Sequence, residues 1–166
     1  MHPINYRTPD ELQKFIKQDK KATKAFFQSL KKKRPKDLDS EFHLLHDEAF
    51  SQFNCLDCAN CCSSISPIIL QADIDRIAKH LKIAASNFLQ TYLYMDEDGD
   101  FVFKQTPCPF LLPDNYCSIY ESRPKACREY PHTDRRKMVQ ILDLTLKNCE
   151  VCPVVCDIVS ELKTKL

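Results

Sequence analysis

Cys55-Leu56-Asp57-Cys58-Ala59-Asn60-Cys61-Cys62 decides how this chain is read. Thiols spaced two residues apart are the usual way a polypeptide grips a soft metal. A second burst, Cys149, Cys152 and Cys156, reads C-x2-C-x3-C, and Cys55, Cys58 and Cys62 repeat that spacing. On one continuous helix, at about 100° per residue, positions i, i+3 and i+7 share a face and Cys61 points away. A knuckle-type loop lifts that restriction. Both geometries stay open at this point. Between the bursts lie Cys108, Cys117 and Cys127, which bring the total to ten cysteines.

A chain of 166 residues fits one compact domain with a core of its own. Its start, MHPINYRTPDELQKF, is polar and reads as neither signal peptide nor membrane anchor. No apolar run approaches the roughly 20 residues that span a bilayer. The expected location is therefore cytoplasmic, where thiols stay reduced and ligation is favoured over disulfides. Adjacent Cys61 and Cys62 also argue against a disulfide framework, because neighbouring residues bridge badly. Net charge is +1 but uneven. Residues 1–36 carry 11 Lys+Arg against 3 Asp+Glu, whereas the remainder carries 13 against 20. A basic arm over residues 9–36 could meet nucleic acid or an acidic protein, or could be a solvated helical face.

Thr8-Pro9-Asp10-Glu11 spells a helix start with a capping box. Leu12, Phe15, Ile16, Phe26, Phe27 and Leu30 extend an apolar stripe to about residue 30, and Lys31-Lys32-Lys33-Arg34-Pro35 closes it. A second helix is expected over Ser40 to Gln52, with Phe42, Leu45, Ala49 and Phe53 inward. His43 and His46 lie on it, as surface or hydrogen-bonded histidines sooner than as ligands. Ser66 to Leu70 reads as extended, and helices follow over Ala72–Leu81 and about Ala84–Tyr92. Tyr94 to Phe103 spells a β-hairpin with the single glycine, Gly99, at its turn. Asp96, Asp98 and Asp100 hint at calcium, but the glycine is misplaced for an EF-hand loop and the closing Glu is missing. Residues 105–131, rich in proline and cysteine, should be irregular and costly to order without a crosslink. Met138–Lys147 suits helix or strand, and Pro153 opens a last helix to Lys165.

Four thiolates around Zn²⁺ leave a formal charge of −2, as do four around a [4Fe–4S]²⁺ core. Nearby N–H groups or cations must offset it. Arg123, Arg128, Arg135 and Arg136 are placed in sequence to do so, although Arg123 could equally pair with Glu121 and Arg128 with Glu129. Cys55/Cys58 with Cys149/Cys152 could form a zinc ribbon, but six cysteines would be left over. Cys55, Cys58 and Cys61 match three ligands of a bacterial ferredoxin cluster, without its Cys-Pro. The C-terminal C-x2-C-x3-C reverses the radical-SAM order. No Walker A, Rossmann or nucleophile-elbow motif is present. Cys127 with His132 is the nearest approach to a nucleophile pair.

Taken together, Cys55-Leu-Asp-Cys58-Ala-Asn-Cys61-Cys62, Cys108-Pro109-Phe110-Leu111, the run Cys117-Ser-Ile-Tyr-Glu-Ser-Arg-Pro-Lys-Ala-Cys127-Arg-Glu-Tyr-Pro131 and Cys152-Pro153 resemble the YkgJ-type CxxCxxCC cysteine-cluster family of zinc- or iron-chelating domains. The match runs from about residue 53 to 153. The resemblance implies metal binding, with iron–sulfur often suggested, and a ligand set of Cys55, Cys58, Cys61, Cys62, Cys108, Cys117, Cys127 and Cys152. Cys149 and Cys156 look like additions to that set. Some flagellin lysine N-methylases carry a similar cluster, which keeps an enzyme reading open beside those of an electron-transfer protein and a zinc-stapled interaction module. This chain is much shorter than those enzymes.

The expectation is an α+β, mainly helical fold, small and irregular around its cysteines, with one short β-hairpin. A basic helical region over residues 1–50 would precede a metal-chelating domain over residues 51–166. The expected cofactor is zinc or an iron–sulfur cluster, and whether the protein is an enzyme stays open.

Overall fold

The computed structural model describes residues 8–166; the first seven, which open the polar start, lie outside the described residues. In chain order the helices are α1 (Pro9–Lys33), α2 (Leu38–Phe50), α3 (Asn60–Ser64), α4 (Gln71–Leu81), α5 (Ala85–Tyr92), α6 (Lys125–Glu129), α7 (Leu142–Cys149) and α8 (Pro153–Lys165). Two strands, β1 (Leu93–Met95) and β2 (Phe101–Phe103), form one antiparallel sheet. The mainly helical α+β expectation holds. No helix among the described residues is long and apolar enough to cross a membrane. The chain groups into two units, one of residues up to 54 together with 131–166, the other of residues 55–130. The sequence division at residue 50 follows where the family resemblance begins. The spatial grouping places residues 131–166 with the N-terminal helices.

The first unit is helical. Thr8 Oγ1 accepts from the Glu11 N–H at 3.3 Å, and Glu11 Oε2 accepts from the Thr8 N–H at 2.8 Å, so the expected capping box is present. α1 runs through the lysines to Lys33, past the end of its apolar stripe, because cations suit the negative end of a helix. Arg34, at φ 47°, then closes it, its N–H donating to Leu30 O at 2.8 Å. α8 buries Val154, Val155, Ile158, Val159 and Leu162, and packs against α1, α2 and α7. A helix this apolar needs neighbours on several sides. Leu12, Phe27 and Leu30 of α1 and Leu38, Phe42, Leu45 and Ala49 of α2 supply them. The segment left open between helix and strand is a helix, with Leu142, Thr145, Asn148 and Cys149 buried at helical spacing. Asp39 anchors its approach, accepting from the Lys137 N–H at 2.6 Å and the Met138 N–H at 2.8 Å.

The second unit builds its core from Ile69, Ile74, Ile77, Phe88, Leu93, Phe103, Phe110 and Ile119. The hairpin pairs Leu93 with Phe103 and Met95 with Phe101. Asp96 makes its turn: one carboxylate oxygen accepts from the N–H groups of Asp98 at 3.0 Å and Asp100 at 2.9 Å, and Gly99 takes φ 84°. That use of Asp96 agrees with the turn reading over the calcium reading. The Ser66–Leu70 segment is extended, and it docks on β2 through Ile69 N–H to Phe101 O at 2.8 Å and Phe103 N–H to Ser66 Oγ at 2.8 Å.

Phe110 is the hinge between this core and the cysteines. Its ring lies 5.1 Å from Tyr92, 5.7 Å from Phe103 and 6.3 Å from Phe88, and the partly buried Cys108 and Cys117 pack on the same cluster. Phe110→Leu keeps most of the volume but loses the ring contacts. It should cost about 2 kcal/mol, read as an earlier urea midpoint with α-helical signal retained before the transition. An unchanged midpoint would remove Phe110 from this role.

Candidate metal centre

Seven of the eight expected ligands fall in the second unit. Cys55 opens a single 3₁₀ turn (Cys55–Asp57), Cys58 follows it, and Cys61 and Cys62 lie on α3. Cys58 N–H and Ala59 N–H both donate to Cys55 O, at 3.1 and 2.8 Å. Ala59 then takes φ 47°, a left-handed conformation that turns the chain sharply into α3. The motif is therefore a knuckle and not one continuous helix. The helical option, in which Cys61 faces away, does not apply: Cys61 Sγ lies 4.0 Å from Cys62 Sγ.

Of the other three thiols of this unit, Cys108 is tied to the knuckle by a backbone bond. Cys108 N–H donates to Cys62 O at 2.8 Å. An isolated antiparallel bridge between Leu111 and Cys117 folds the 108–118 segment back on itself, so Cys117 returns beside Cys108. Cys127 lies on α6. All ten cysteines of the chain are thiols, without a disulfide.

Electrostatics tie these seven sulfurs together and single out Cys62. Cys62 is lowered to about 7, chiefly by the hydrogen bond from the Cys61 thiol and also by its own backbone N–H, against the opposing effect of burial. Burial is the leading cause in the others. It pushes Cys108 up to about 11 and Cys127 up to about 12, and negative charge on Cys62 and Cys117 adds to both. Cys117 is raised by burial and by Cys62. Cys55 is exposed on one side, yet protein packed on the other raises its thiol, with Cys58 and Cys62 adding. Cys62 is thus the first thiolate to form and the one whose charge the rest resist. A cation placed among them reverses that resistance.

Two features offset negative charge here. Backbone N–H groups of Phe110 and Leu111 donate to the Cys108 sulfur, and that of Ile119 to the Cys117 sulfur. Arg123 acts on Cys55, Cys117 and Cys127, favouring the thiolate in each. Its guanidinium lies 3.7 Å over the Tyr120 ring and donates to Tyr120 O at 3.2 Å. Glu129 pairs instead with Lys125, at 3.5 Å. Alkylation of the metal-free protein should therefore begin at Cys62, with half-maximal rate near pH 7. Peptide mapping after brief iodoacetamide exposure reads this directly. First labelling at Cys108 or Cys127 would contradict it.

One buried carboxylate holds the Arg123 segment in place. Asp73, at 1 % exposure, receives Arg76 Nη2 at 2.5 Å and Lys125 N–H at 3.0 Å on one oxygen, and Leu70 N–H at 3.0 Å on the other. Arg76 Nη2 also donates to Arg123 O at 2.9 Å. α4 is thereby pinned to the chain between Arg123 and Lys125, two residues before Cys127. This pair was not singled out in the sequence; the signal available was Asp73 in the first turn of a helix, which reads only as a cap.

Among the described residues, no three of His, Cys, Asp or Glu already stand in a metal-holding arrangement. The fit to a metal is one of donor chemistry: clustered, partly buried thiols, inward N–H groups and a neighbouring arginine suit a soft or borderline cation. Cys152 belongs to the first unit with Cys149 and Cys156, all three buried; it precedes α8, and its N–H donates to Asn148 O at 2.8 Å. His43 Nε2 bonds Arg135 O at 2.8 Å and His46 Nδ1 bonds Thr133 Oγ1 at 2.7 Å, in keeping with hydrogen-bonded histidines.

A family model, CxxCxxCC, described as "Putative zinc- or iron-chelating domain", matches residues 54–157. No curated relative and no solved structure matches the chain.

Proposed function

Because the chain belongs to the CxxCxxCC family, we propose that it binds metal through Cys55, Cys58, Cys61, Cys62, Cys108, Cys117, Cys127 and Cys152, as zinc, iron or an iron–sulfur cluster. The observation that carries this reading is the grouping of seven thiols in the second unit, with Cys61 and Cys62 4.0 Å apart on the knuckle and Cys108 bonded to it through its backbone. Seven thiols exceed the four that one tetrahedral ion takes, so the site has room for two ions or for a cluster.

When bound, a zinc or iron centre would supply positive charge and a crosslink between segments. The chain does the rest. Cys62 offers a thiolate near neutral pH and is the natural first contact. Arg123 and the N–H groups of Phe110, Leu111 and Ile119 then offset charge as further thiols lose protons. The segments joined are those that most need it. The Cys55–Asp57 turn, α3 and α6 bury no side chain, whereas the core from Ile69 to Ile119 is packed without them. This favours a centre that orders the cysteine loops on an already folded scaffold.

Native alkylation with and without added Zn²⁺ or Fe²⁺ tests the assignment. Protection of the seven thiols of the second unit together with Cys152, mapped by peptide mass, is the expected result. Protection of none of them by either ion would overturn it.

A further inference from the structure

The lysines of α1 fall into two sets, and the fold uses only one of them. Lys20 pairs with Glu150 at 2.5 Å and Lys31 with Asp143 at 2.6 Å, so the lysines flanking the buried face are tied to α7 and its C-cap. Asp19, the acid in the middle of α1, is taken by Lys163 of α8. Lys14, Lys17, Lys21, Lys24 and Lys32 are exposed, and among the described residues they make no ion pair. At about 100° per residue these five fall within about 80° of the helix surface. They lie opposite the face that buries Leu12, Ile16, Phe27 and Leu30. At about 1.5 Å per residue the row runs about 27 Å. Gln28 stands in its one long gap, and Asp10 at its N-terminal end.

A face that only keeps a protein soluble mixes the two signs, and like charges one turn apart work against the helix that carries them. Here the signs are unmixed from Lys14 to Lys32, in a chain whose net charge is only +1. The chemistry of the row selects its occupant. The apolar face of α1 is buried in the core, so the helix has nothing to sink into a bilayer. The row carries no aromatic, Met or Arg to anchor in a protein pocket, and protein interfaces are depleted in Lys. It offers no ring on which unstacked bases could lie. Five ammonium groups in line match a stiff polyanion, the phosphate backbone of a duplex. Duplex RNA is recognised largely through 2′-hydroxyls across a wide minor groove, whereas one row of point charges suits the phosphates of a DNA strand. We propose that the lysine ridge of α1 docks double-stranded DNA through its phosphates, without reading its sequence.

The test is fluorescence anisotropy of the full chain with a short labelled DNA duplex of arbitrary sequence. Five phosphate contacts predict a slope of about −4.5 in log affinity against log salt, which is about 500-fold between about 50 and 200 mM. Lys17→Gln with Lys21→Gln takes two charges from the ridge. Lys79→Gln with Lys82→Gln takes two exposed charges from the second unit and leaves the same net charge. A thermal melt checks that both variants fold. The ridge variant should flatten the slope to about −2.7, and the second should leave it unchanged. Lys17→Arg with Lys21→Arg keeps the charge and should keep the slope. Absence of binding at the lowest salt would overturn the proposal, as would equal slopes in the two glutamine variants. Tighter binding to duplex RNA of the same sequence, or to phosphatidylserine vesicles, would overturn it as well. No metal enters this readout, so failure of the metal assignment leaves the result intact.

Discussion

Cys62→Ser should strip metal from the protein and loosen two stretches of backbone, residues 55–64 and 105–130. Cys62 is the most acidic resolved thiol of the cluster, and its charge acts on Cys55, Cys108, Cys117 and Cys127. A serine oxygen is a harder donor and stays protonated at neutral pH, so the nucleating anion disappears. Changes in residues that only orient ligands cost about 10–100-fold in metal affinity, and removing this ligand should cost at least that much. Hydrogen exchange locates the consequence. Protection should fall in the Cys55–Asp57 turn, α3 and α6, which bury no side chain, and persist in α4 and the hairpin. Full metal content with unchanged exchange would exclude Cys62 as an essential ligand.

Asp73→Ala should destabilise the second unit by about 3 kcal/mol, because it leaves Arg76 without its carboxylate and two backbone N–H groups without their acceptor. The pair is asymmetric. Asp73 is buried, while the Arg76 side chain is 32 % exposed and can rehydrate, so the expected cost sits at the low end for a broken buried pair. Metal affinity should fall with stability, since Arg123 and Cys127 flank the anchored Lys125 N–H. Asp73→Asn keeps one carbonyl acceptor and should lie between wild type and alanine. A urea melt and a metal titration on the three proteins would show the order. Alanine and wild type giving the same midpoint would mean the anchor contributes nothing.

The local grammar of this chain was largely legible. Thr8 and Glu11 announced α1, Pro153 announced α8, and Gly99 announced the hairpin turn, because each is a short-range device whose partners lie within four residues. The cysteine motif announced its family for the same reason: the information lies in spacing. What stayed hidden depends on distant partners. The break at Ala59, which makes the motif a knuckle, needs a left-handed non-glycine residue that no propensity favours. Asp73 carries its weight through Lys125 and Arg76, and the Lys125 contact spans 52 residues. Residues 131–166 join the N-terminal helices because α8 is too apolar for one neighbour, a packing fact that composition alone does not address to a partner. The charge contrast between residues 1–36 and the rest, by comparison, says nothing about which helices meet.

The measurement that bears most directly on the central claim is the metal, iron and acid-labile sulfide content of the protein isolated without oxygen, taken with its visible spectrum. Zinc in a colourless sample, or iron with sulfide and a broad band near about 400 nm, is the result the thiol cluster predicts. Protein that carries neither metal, and takes up neither after anaerobic loading with zinc or with iron and sulfide, would contradict it.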